Sequence, residues 1–434
     1  MKKIHFIGLG GIGISALAKI YLSQGYKISG SDLNDSDILK NLKDQGSQIF
    51  IGPHSGSFIS SDIGLVVFSP AIGEDNPELK EAKKNKIPAL SYPEALGKLT
   101  SDYWTIAVSG THGKSTTTSM LALAAIKAGL DPTVIVGTKL KELGGSNARV
   151  GKSKYLIIEA DEFNASFLNY WPKAIILTNI EEDHLDYYKN LNHILKTFQD
   201  YINHLPKNGV LVVNKDDKNI NKLNITSNWK TSYFGSFQEK DFDKIKNLLN
   251  VPGRHNIFNA LSVLTLGREL GIKDEVIFKS LSEFQGTWRR FEIIKEKPFI
   301  LISDYAHHPT EVKATIKATK EKFLNRKIIC VYQPHQYQRT RYLFNDFVSS
   351  FDEADEIILS EIFNVAGRED KNTSKSISSF DLTKKIKERG KKAIFAKNLK
   401  ETEKILKNKI EKNSVVLVMG AGDIWNIVKN LSTS

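Results

Sequence analysis

The chain has 434 residues, 41% of them hydrophobic and 25% charged, and a formal net charge of +12 at pH 7. This length predicts two to three domains, and the composition is typical of a soluble globular protein in which no apolar run approaches the roughly 18 residues of a membrane span. The positive charge comes mostly from lysines scattered along the chain, which favours a solvated surface or anionic phosphorylated ligands over a nucleic-acid-binding patch.

The first motif along the chain is a glycine-rich turn. The apolar residues 4–7 predict a strand, the sequence GLGGIG follows at residues 8–13, and a helical pattern covers residues 12–24. Asp32 then closes a second predicted strand. In a turn of this kind the helix N-terminus holds a diphosphate and the acidic residue receives a ribose or base edge. Taken alone, the motif would suggest an NAD-dependent dehydrogenase. A glycine turn that serves only the packing of the helix on the sheet is the other interpretation.

The same N-terminal stretch bears on location. Basic residues precede an apolar segment, as in a signal peptide, but four glycines interrupt residues 4–14 and no convincing cleavage site follows. We interpret the segment as a strand and a turn and expect a cytoplasmic protein. The single cysteine, Cys330, lies in an apolar run and is expected to be a buried strand residue, so a disulfide or a cysteine metal site within one chain is excluded.

A second glycine-rich loop lies at residues 109–118, with the sequence SGTHGKSTTT. It follows the apolar residues 104–108 and precedes a helical pattern over residues 119–127. Its glycines let backbone N–H groups face a polyphosphate, Lys114 supplies a positive charge, and the Ser115 hydroxyl suits a nucleotide-bound Mg²⁺. The spacing is G-x-x-G-K-S, because Val108 stands where the longer motif has its first glycine. The loop predicts ATP use and argues against a hydride-transfer enzyme.

Two acidic clusters follow the next predicted strands. EADE at residues 159–162 follows the strand 155–158, and NIEEDHLD at residues 179–186 follows the strand 174–178. Carboxylates and a histidine at the carboxyl ends of strands adjoin the expected nucleotide crevice, and such ligands suit Mg²⁺ or Mn²⁺. A pair of solvated acidic loops is the alternative.

Polar motifs continue into the last third of the chain. Asn256 and Asn259 fall on one face of a predicted helix near its start, where they can bind a base edge, although capping and hydration explain them almost as well. DYAHHPTE at residues 304–311 and QPHQYQRTR at residues 333–341 each follow a predicted strand. Adjacent histidines, without an H-E-x-x-H spacing or a cysteine, favour substrate binding over zinc.

Strand-like apolar runs alternate with helical patterns almost throughout, which predicts an α/β protein with mostly parallel sheets. Residues 99–102 are expected to be a linker, and a second boundary is expected near residues 295–298. We therefore predict three domains, at residues 1–100, 101–296 and 297–434.

Together these motifs resemble the Mur ligase family, ATP-dependent amide-forming enzymes of peptidoglycan precursor synthesis, over nearly the whole chain. The shortened GTHGKS loop is one mark of the family, and GAGDIW at residues 420–425 adds to the likeness to its alanine-adding branch. The resemblance implies a Rossmann-like N-terminal domain that binds a UDP-sugar, a central P-loop ATPase-like domain with a mostly parallel sheet, and a C-terminal Rossmann-like α/β domain that binds the amino acid.

The resemblance also implies site residues. The UDP-sugar is expected at Gly10, Gly11, Ile12, Gly13, Asp32 and Ser69. ATP is expected at Gly110, Thr111, His112, Gly113, Lys114, Ser115, Thr116, His255, Asn256, Asn259 and Arg290. Mg²⁺ is expected at Ser115, Glu159 and His184, and the amino acid at Tyr305, His307, His335 and Arg339. Of these, Lys114, His307 and Arg339 are expected to be catalytic, with Arg339 taking the amino-acid carboxylate.

The implied reaction joins L-alanine to the lactoyl carboxylate of UDP-N-acetylmuramate through an acyl phosphate, with release of ADP and phosphate. We expect a monomer or weak homodimer without a nucleic-acid or membrane partner. Gln336 stands where relatives usually have arginine, and this leaves the preference for L-alanine over L-serine or glycine open. The alternatives are a recycling ligase that attaches a tripeptide to the same muramate, a nicotinamide-dependent dehydrogenase, and a non-catalytic nucleotide sensor.

Overall fold

A computed structural model of the protein describes residues 3–226, 228–364 and 376–432. Strands and helices alternate along these stretches and form three sheets. Several strands, such as Ile328–Tyr332 and Val415–Met419, are buried along their whole length, as expected of parallel strands that are covered on both faces. None of the described helices is both long and apolar enough to cross a membrane.

The first sheet is entirely parallel. Its strands and the helices that follow them are β1 (Lys3–Ile7), α1 (Ile12–Ser23), β2 (Lys27–Asp32), α2 (Asp37–Asp44), β3 (Gln48–Ile51), β4 (Ile63–Phe68), α3 (Pro77–Lys84), β5 (Ala89–Ser91) and α4 (Tyr92–Asp102). The spatial order is β3-β2-β1-β4-β5, so the direction of the strand order reverses between β1 and β4. Ligands bind at such a reversal, outside the carboxyl ends of the strands, and the glycine-rich turn after β1 lies there.

The second sheet contains seven strands. Its elements are β6 (Trp104–Ser109), α5 (Lys114–Lys127), β7 (Thr133–Leu140), β8 (Ser146–Arg149), β9 (Tyr155–Glu159), β10 (Ala174–Leu177), α6 (Leu191–Ile202), β11 (Val210–Asn214), β12 (Lys230–Phe234), α7 (Glu239–Leu248), α8 (Arg254–Glu269) and α9 (Asp274–Glu283). The order is β12-β11-β10-β6-β9-β7-β8, and only the β7–β8 pair is antiparallel. Strand β6, which precedes the second glycine-rich loop, therefore lies between β9 and β10.

The third sheet has six strands. Its elements are β13 (Glu292–Lys295), β14 (Ile300–Asp304), α10 (Pro309–Lys322), β15 (Ile328–Tyr332), α11 (Tyr337–Tyr342), α12 (Phe344–Ser350), β16 (Glu356–Ser360), α13 (Ser379–Glu388), β17 (Ala393–Ala396), α14 (Leu399–Lys407), β18 (Val415–Met419) and α15 (Trp425–Ser432). The order is β13-β14-β18-β15-β16-β17, with only β13 antiparallel to its neighbour. Strand β18 thus separates β14 from β15, and the three motifs that follow these strands share one edge of the sheet.

The predicted alternation and the mostly parallel α/β class are confirmed, and Cys330 is buried in β15 as expected. The predicted linker at residues 99–102 is wrong, because these residues form the last turn of α4, where Leu99 and Thr100 are buried. Helix α5 begins at Lys114, several residues earlier than the sequence pattern indicates. Strand β13 pairs with β14, so residues 292–295 join the third sheet although the division at residue 296 assigned them to the central domain.

Candidate active site

The topology of the second sheet brings the central motifs together. The phosphate loop, residues 110–115, follows β6, while residues 159–162 and 179–186 follow the two flanking strands. The loop is anchored on Asn179, whose backbone oxygen accepts from Thr111 N at 3.0 Å and whose side-chain Oδ1 accepts from His112 N at 2.8 Å. Gly110 and Gly113 have φ angles of 131° and 83°, which other residues rarely adopt.

The side chain of Lys114 folds back over the phosphate loop. Its Nζ donates to Gly110 O at 2.8 Å and Thr111 O at 3.1 Å, and lies 2.8 Å from Glu162 Oε2. Burial favours the neutral amine, but the carboxylates of Glu162, Asp161 and Glu159 outweigh it and raise the pKa of Lys114 above its usual range. The lysine is therefore a fixed cation, and a bound polyphosphate would compete with Glu162 for it.

The predicted metal ligands fall into two neighbouring groups. Ser115 Oγ donates to Glu159 Oε1 at 2.9 Å, and Glu159 Oε2 accepts from Gly137 N at 2.8 Å. His184 lies instead with Asp161 and Glu162, and ligand atoms of these three residues are within 4.8 Å of one another. Nδ1 of His184 is buried without a hydrogen-bond partner, and burial lowers the pKa of this imidazole. The carboxylate and hydroxyl oxygens of these two groups fit a hard divalent cation such as Mg²⁺, and the imidazole of His184 offers a nitrogen ligand beside them.

Residues at the start of α8 approach the phosphate loop from the other side. Asn259 packs against Gly113, where an added Cβ would collide with the amide oxygen of the asparagine. Its Nδ2 donates to Asn256 Oδ1 at 3.3 Å, and Asn256 Nδ2 donates to Pro252 O at 2.7 Å. These amides hold the helix start, whereas His255 in the same turn is exposed. Of the remaining predicted ATP residues, Thr116 is buried in the first turn of α5.

The predicted UDP-sugar residues surround the glycine-rich turn after β1. Asp32 Oδ2 accepts from Gly10 N at 2.8 Å, so this carboxylate holds the turn itself. Gly11 is the N-cap of α1, which begins at Ile12. A Cβ on Gly13 would lie 2.8 Å from Cζ of Tyr92, and a Cβ on Gly8 would lie 3.0 Å from that of Ser69. These neighbours leave no room for a side chain at Gly13 and little at Gly8.

The predicted amino-acid residues form an aromatic group in the third domain. The ring of His307 contacts Tyr305 edge-on, with centroids 5.4 Å apart, and His335 at 6.1 Å. The guanidinium of Arg290 lies 4.8 Å from the centroid of the Tyr305 ring. The structure thus brings these three predicted amino-acid residues together with one predicted ATP residue, and the fourth, Arg339, contacts His335.

Arg339 makes a contact that the sequence did not indicate. Its Nη2 and Nε lie 2.9 and 3.0 Å from Asp183 Oδ1, across the boundary between the second and third sheets. Its Nη1 lies 3.4 Å from His335 Nδ1. Burial opposes ionisation of Asp183, but Arg339 holds the pKa of this carboxyl well below its usual range. The predicted carboxylate-binding arginine is therefore already paired along one edge.

Four acidic residues that contact predicted site residues lie inside the motifs described above, but they were not predicted as site residues themselves. Glu162 pairs with Lys114, Asp183 with Arg339, and Glu181 and Glu311 flank His112. Tyr92, beside Gly13, was not singled out at all. Their position inside these motifs was the one feature of the sequence that could have identified the acidic residues. Nothing in the sequence indicates a role for Tyr92.

Three family models match successive parts of the chain: "Mur ligase family, catalytic domain" at residues 3–104, "Mur ligase middle domain" at residues 108–267, and "Mur ligase, glutamate ligase domain" at residues 289–422. A UDP-N-acetylmuramate–L-alanine ligase from Clostridium acetobutylicum is 42% identical, with 98% of this chain and 96% of the relative covered. A protein of the same name from a Sulfurihydrogenibium species is 39% identical, with 100% and 97% covered.

A solved structure extends the likeness to the arrangement of the domains. The crystal structure of a UDP-N-acetylmuramate-alanine ligase from Thermotoga maritima superposes with a TM-score of 0.81 at 28% identity, over 100% of this chain and 99% of that one. A murein peptide ligase from Psychrobacter arcticus has the same fold, with a TM-score of 0.71 at 21% identity over 100% and 98% of the two chains.

Proposed function

The chain belongs to the Mur ligase family, and on that premise we propose that it is an ATP-dependent ligase that joins L-alanine to the lactoyl carboxylate of UDP-N-acetylmuramate. The three domains of the proposal are those predicted from the sequence, with the second boundary moved ahead of β13. The proposal includes a cytoplasmic location, where both nucleotide substrates are found. It also includes a monomeric or weakly dimeric state.

One observation carries the proposal: side chains of the third domain meet the phosphate-loop domain at His112 of the phosphate loop and at the loop after β10. Thr310 Oγ1 donates to Glu181 Oε2 at 2.7 Å, and His308 Nε2 lies 3.1 Å from Glu182 O. These contacts bring the aromatic group around His307 toward the loop that would hold ATP. A site for an acceptor amine beside a phosphate loop is what an amide-forming ligase needs, and a dehydrogenase or nucleotide sensor has no use for it.

The chemistry follows from the weakness of a carboxylate as an acyl donor. A lactoyl carboxylate oxygen attacks the γ-phosphorus of ATP, the bond to ADP breaks, and an acyl phosphate forms. The neutral amine of L-alanine then attacks the acyl carbon, phosphate leaves, and the amine gives up a proton. Lys114 would stabilise charge on the phosphoryl oxygens, and the meeting of the two domains would exclude water that could hydrolyse the acyl phosphate.

A divalent cation belongs to the same proposal. The hydroxyl of Ser115 and the carboxylate of Glu159 would hold Mg²⁺, and His184 with its acidic neighbours offers further ligands. When bound, the cation would neutralise charge on the ATP phosphates and polarise them. Ser115 Oγ donates to Glu159 Oε1 at 2.9 Å, so the two proposed ligands lie side by side.

An amino-acid panel tests the proposal. Phosphate release would be measured with ATP, Mg²⁺ and UDP-N-acetylmuramate, adding L-alanine, L-serine, glycine or the L-Ala-γ-D-Glu-diaminopimelate tripeptide in turn. We expect release to depend on all components and to be fastest with L-alanine. Activity with the tripeptide alone would assign the chain to the peptide-recycling ligases, and release without any amino acid would contradict ligase function.

A further inference from the structure

Glu311 lies in the first turn of α10 and uses its two carboxylate oxygens differently. Oε2 accepts from the backbone N of His307 at 3.1 Å and lies 3.2 Å from His307 Nδ1. Oε1 points out of the domain, 3.2 Å from Nδ1 of His112 in the phosphate loop, with Nη1 of Arg290 3.8 Å away. One side chain therefore links the phosphate loop to the aromatic group.

Helix capping does not account for this negative charge. Glu311 completes a capping box with His308 at the start of α10, and it also accepts from His308 N at 3.4 Å. A glutamine fills the same position of a capping box equally well. The carboxylate charge matters only to the groups around it that can carry a positive charge, which are His112, His307 and Arg290.

His112 is held from two sides by carboxylates. Its Nε2 lies 3.4 Å from Glu181 Oε2 in its own domain, opposite the contact with Glu311. Burial favours the neutral imidazole, but the flanking carboxylates of Glu181 and Glu311 raise the pKa of His112 to about 10. The other titratable groups nearby are His308, whose ring centroid is 4.7 Å away, His255, and Arg290 and Asp304 beyond Glu311. Glu181, His112 and Glu311 thus form a row of negative, positive and negative charge that crosses the domain boundary.

We infer that Glu311 is a positioning residue that couples the phosphate loop to His307, so that the ATP site and the amino-acid site adopt their closed geometry together. The inference rests on the proposed function for the meaning of the two sites. When the domains separate, His112 keeps Glu181 and loses Glu311, while Glu311 keeps His307. The contact between His112 and Glu311 exists only in the closed arrangement.

The linkage between protonation and closure has a defined sign. Because the pKa of His112 is higher in the closed arrangement than in an open one, protonated His112 favours closure. This contribution is complete below the open-state pKa and is lost as the pH rises through about 10. Removing the charge of Glu311 lowers the closed-state pKa, so the loss should move toward neutral pH.

The first test compares Glu311→Gln with Glu321→Gln, an exposed position on the same helix. Glutamine keeps the cap, so similar thermal unfolding midpoints are expected. We expect the KM for L-alanine to rise about tenfold or more in Glu311→Gln, the effect of one charge-assisted hydrogen bond, and to stay unchanged in Glu321→Gln. His112→Gln, in the ATP loop, should raise the same KM, and the double variant should be no worse than the worse single variant. Effects that multiply would overturn the coupling.

The second test does not depend on turnover. The imidazole ¹⁵N chemical shifts of His112 would be measured as a function of pH in the unsubstituted protein and in Glu311→Gln. The signals of His112 are assigned by their loss in His112→Gln. Each titration is run with and without Mg²⁺ and a non-hydrolysable ATP analogue. We expect the midpoint to fall by about one unit or more in the variant. If His112 titrates identically in the two proteins, both with and without the nucleotide, the inference is overturned. Inactivity of the unsubstituted protein on every amino acid would contradict only the proposed function.

Discussion

Replacing Asp183 with asparagine should weaken closure of the third domain on the phosphate-loop domain. The side chains of Asp183 and Arg339 are only 7% and 5% exposed, and their contact at 2.9 Å crosses the boundary between the two domains. Breaking a buried ion pair costs about 3–5 kcal/mol when one partner is removed outright. Because asparagine still offers an amide oxygen to Arg339, we expect about 2 kcal/mol, the charge-dependent part of the hydrogen bond.

That free energy converts into kinetics through the open and closed populations. About 2 kcal/mol corresponds to a roughly 30-fold shift toward the open arrangement. If the amino acid binds productively only to the closed one, the KM for L-alanine should rise by up to about 30-fold. The KM for ATP should rise less than the KM for L-alanine, because the phosphate loop belongs to one domain and the link to the third domain runs through residues at its edge, such as Arg290 beside Tyr305. Asp183 keeps its charge across the usual assay range, since Arg339 holds its pKa well below normal, so the effect should not vary between about pH 6 and 9.

The assay is ADP release at saturating ATP and UDP-N-acetylmuramate across L-alanine concentrations. Asp186→Asn, three residues away and exposed, is the matched control. Thermal unfolding of both variants separates loss of closure from loss of folding. If Asp183→Asn and Asp186→Asn share the same KM for L-alanine within about threefold, the ion pair does not govern closure, and the reasoning from burial and distance is refuted.

Three further changes address the phosphate loop. Lys114→Ala should abolish turnover while UDP-N-acetylmuramate still binds in calorimetry, and loss of that binding too would mean that the two glycine-rich turns serve one ligand. Glu159→Gln should raise the Mg²⁺ concentration needed for half-maximal rate by about tenfold, and an unchanged Mg²⁺ dependence would remove Glu159 from the metal site. Gly113→Ala, at φ 83° and against Asn259, should lower stability by about 1–2 kcal/mol and weaken ATP binding, and an unfolding midpoint equal to the original would contradict the strain.

The elements and the local motifs were predictable from the sequence because each depends on residues close together in the chain. One example is the phosphate loop. Strand β6, the two glycines with positive φ and the lysine that begins α5 all fall between residues 104 and 114. Their order along parallel strands also predicts a shared edge, and the flanking of β6 by β9 and β10 bears this out.

Contacts between domains could not be predicted in the same way. The partners Asp183 and Arg339 are 156 residues apart, and His112 and Glu311 are 199 apart. No periodicity links such residues, because their meeting depends on how whole domains pack. The predicted linker was wrong for a related reason. Residues 100–102 are all polar, as linker residues often are, but tertiary packing buries Leu99 and Thr100.

The pairing of Arg339 with Asp183 narrows how the arginine could bind an amino-acid carboxylate. A guanidinium offers two edges to carboxylates, and Asp183 uses the edge formed by Nε and Nη2. The remaining edge carries Nη1, which lies 3.4 Å from Nδ1 of His335. An incoming carboxylate that left the ion pair intact would therefore meet Arg339 and His335 together, so both residues should influence the KM for L-alanine. A carboxylate that displaced Asp183 would instead open the contact between the domains, at the step where exclusion of water matters most.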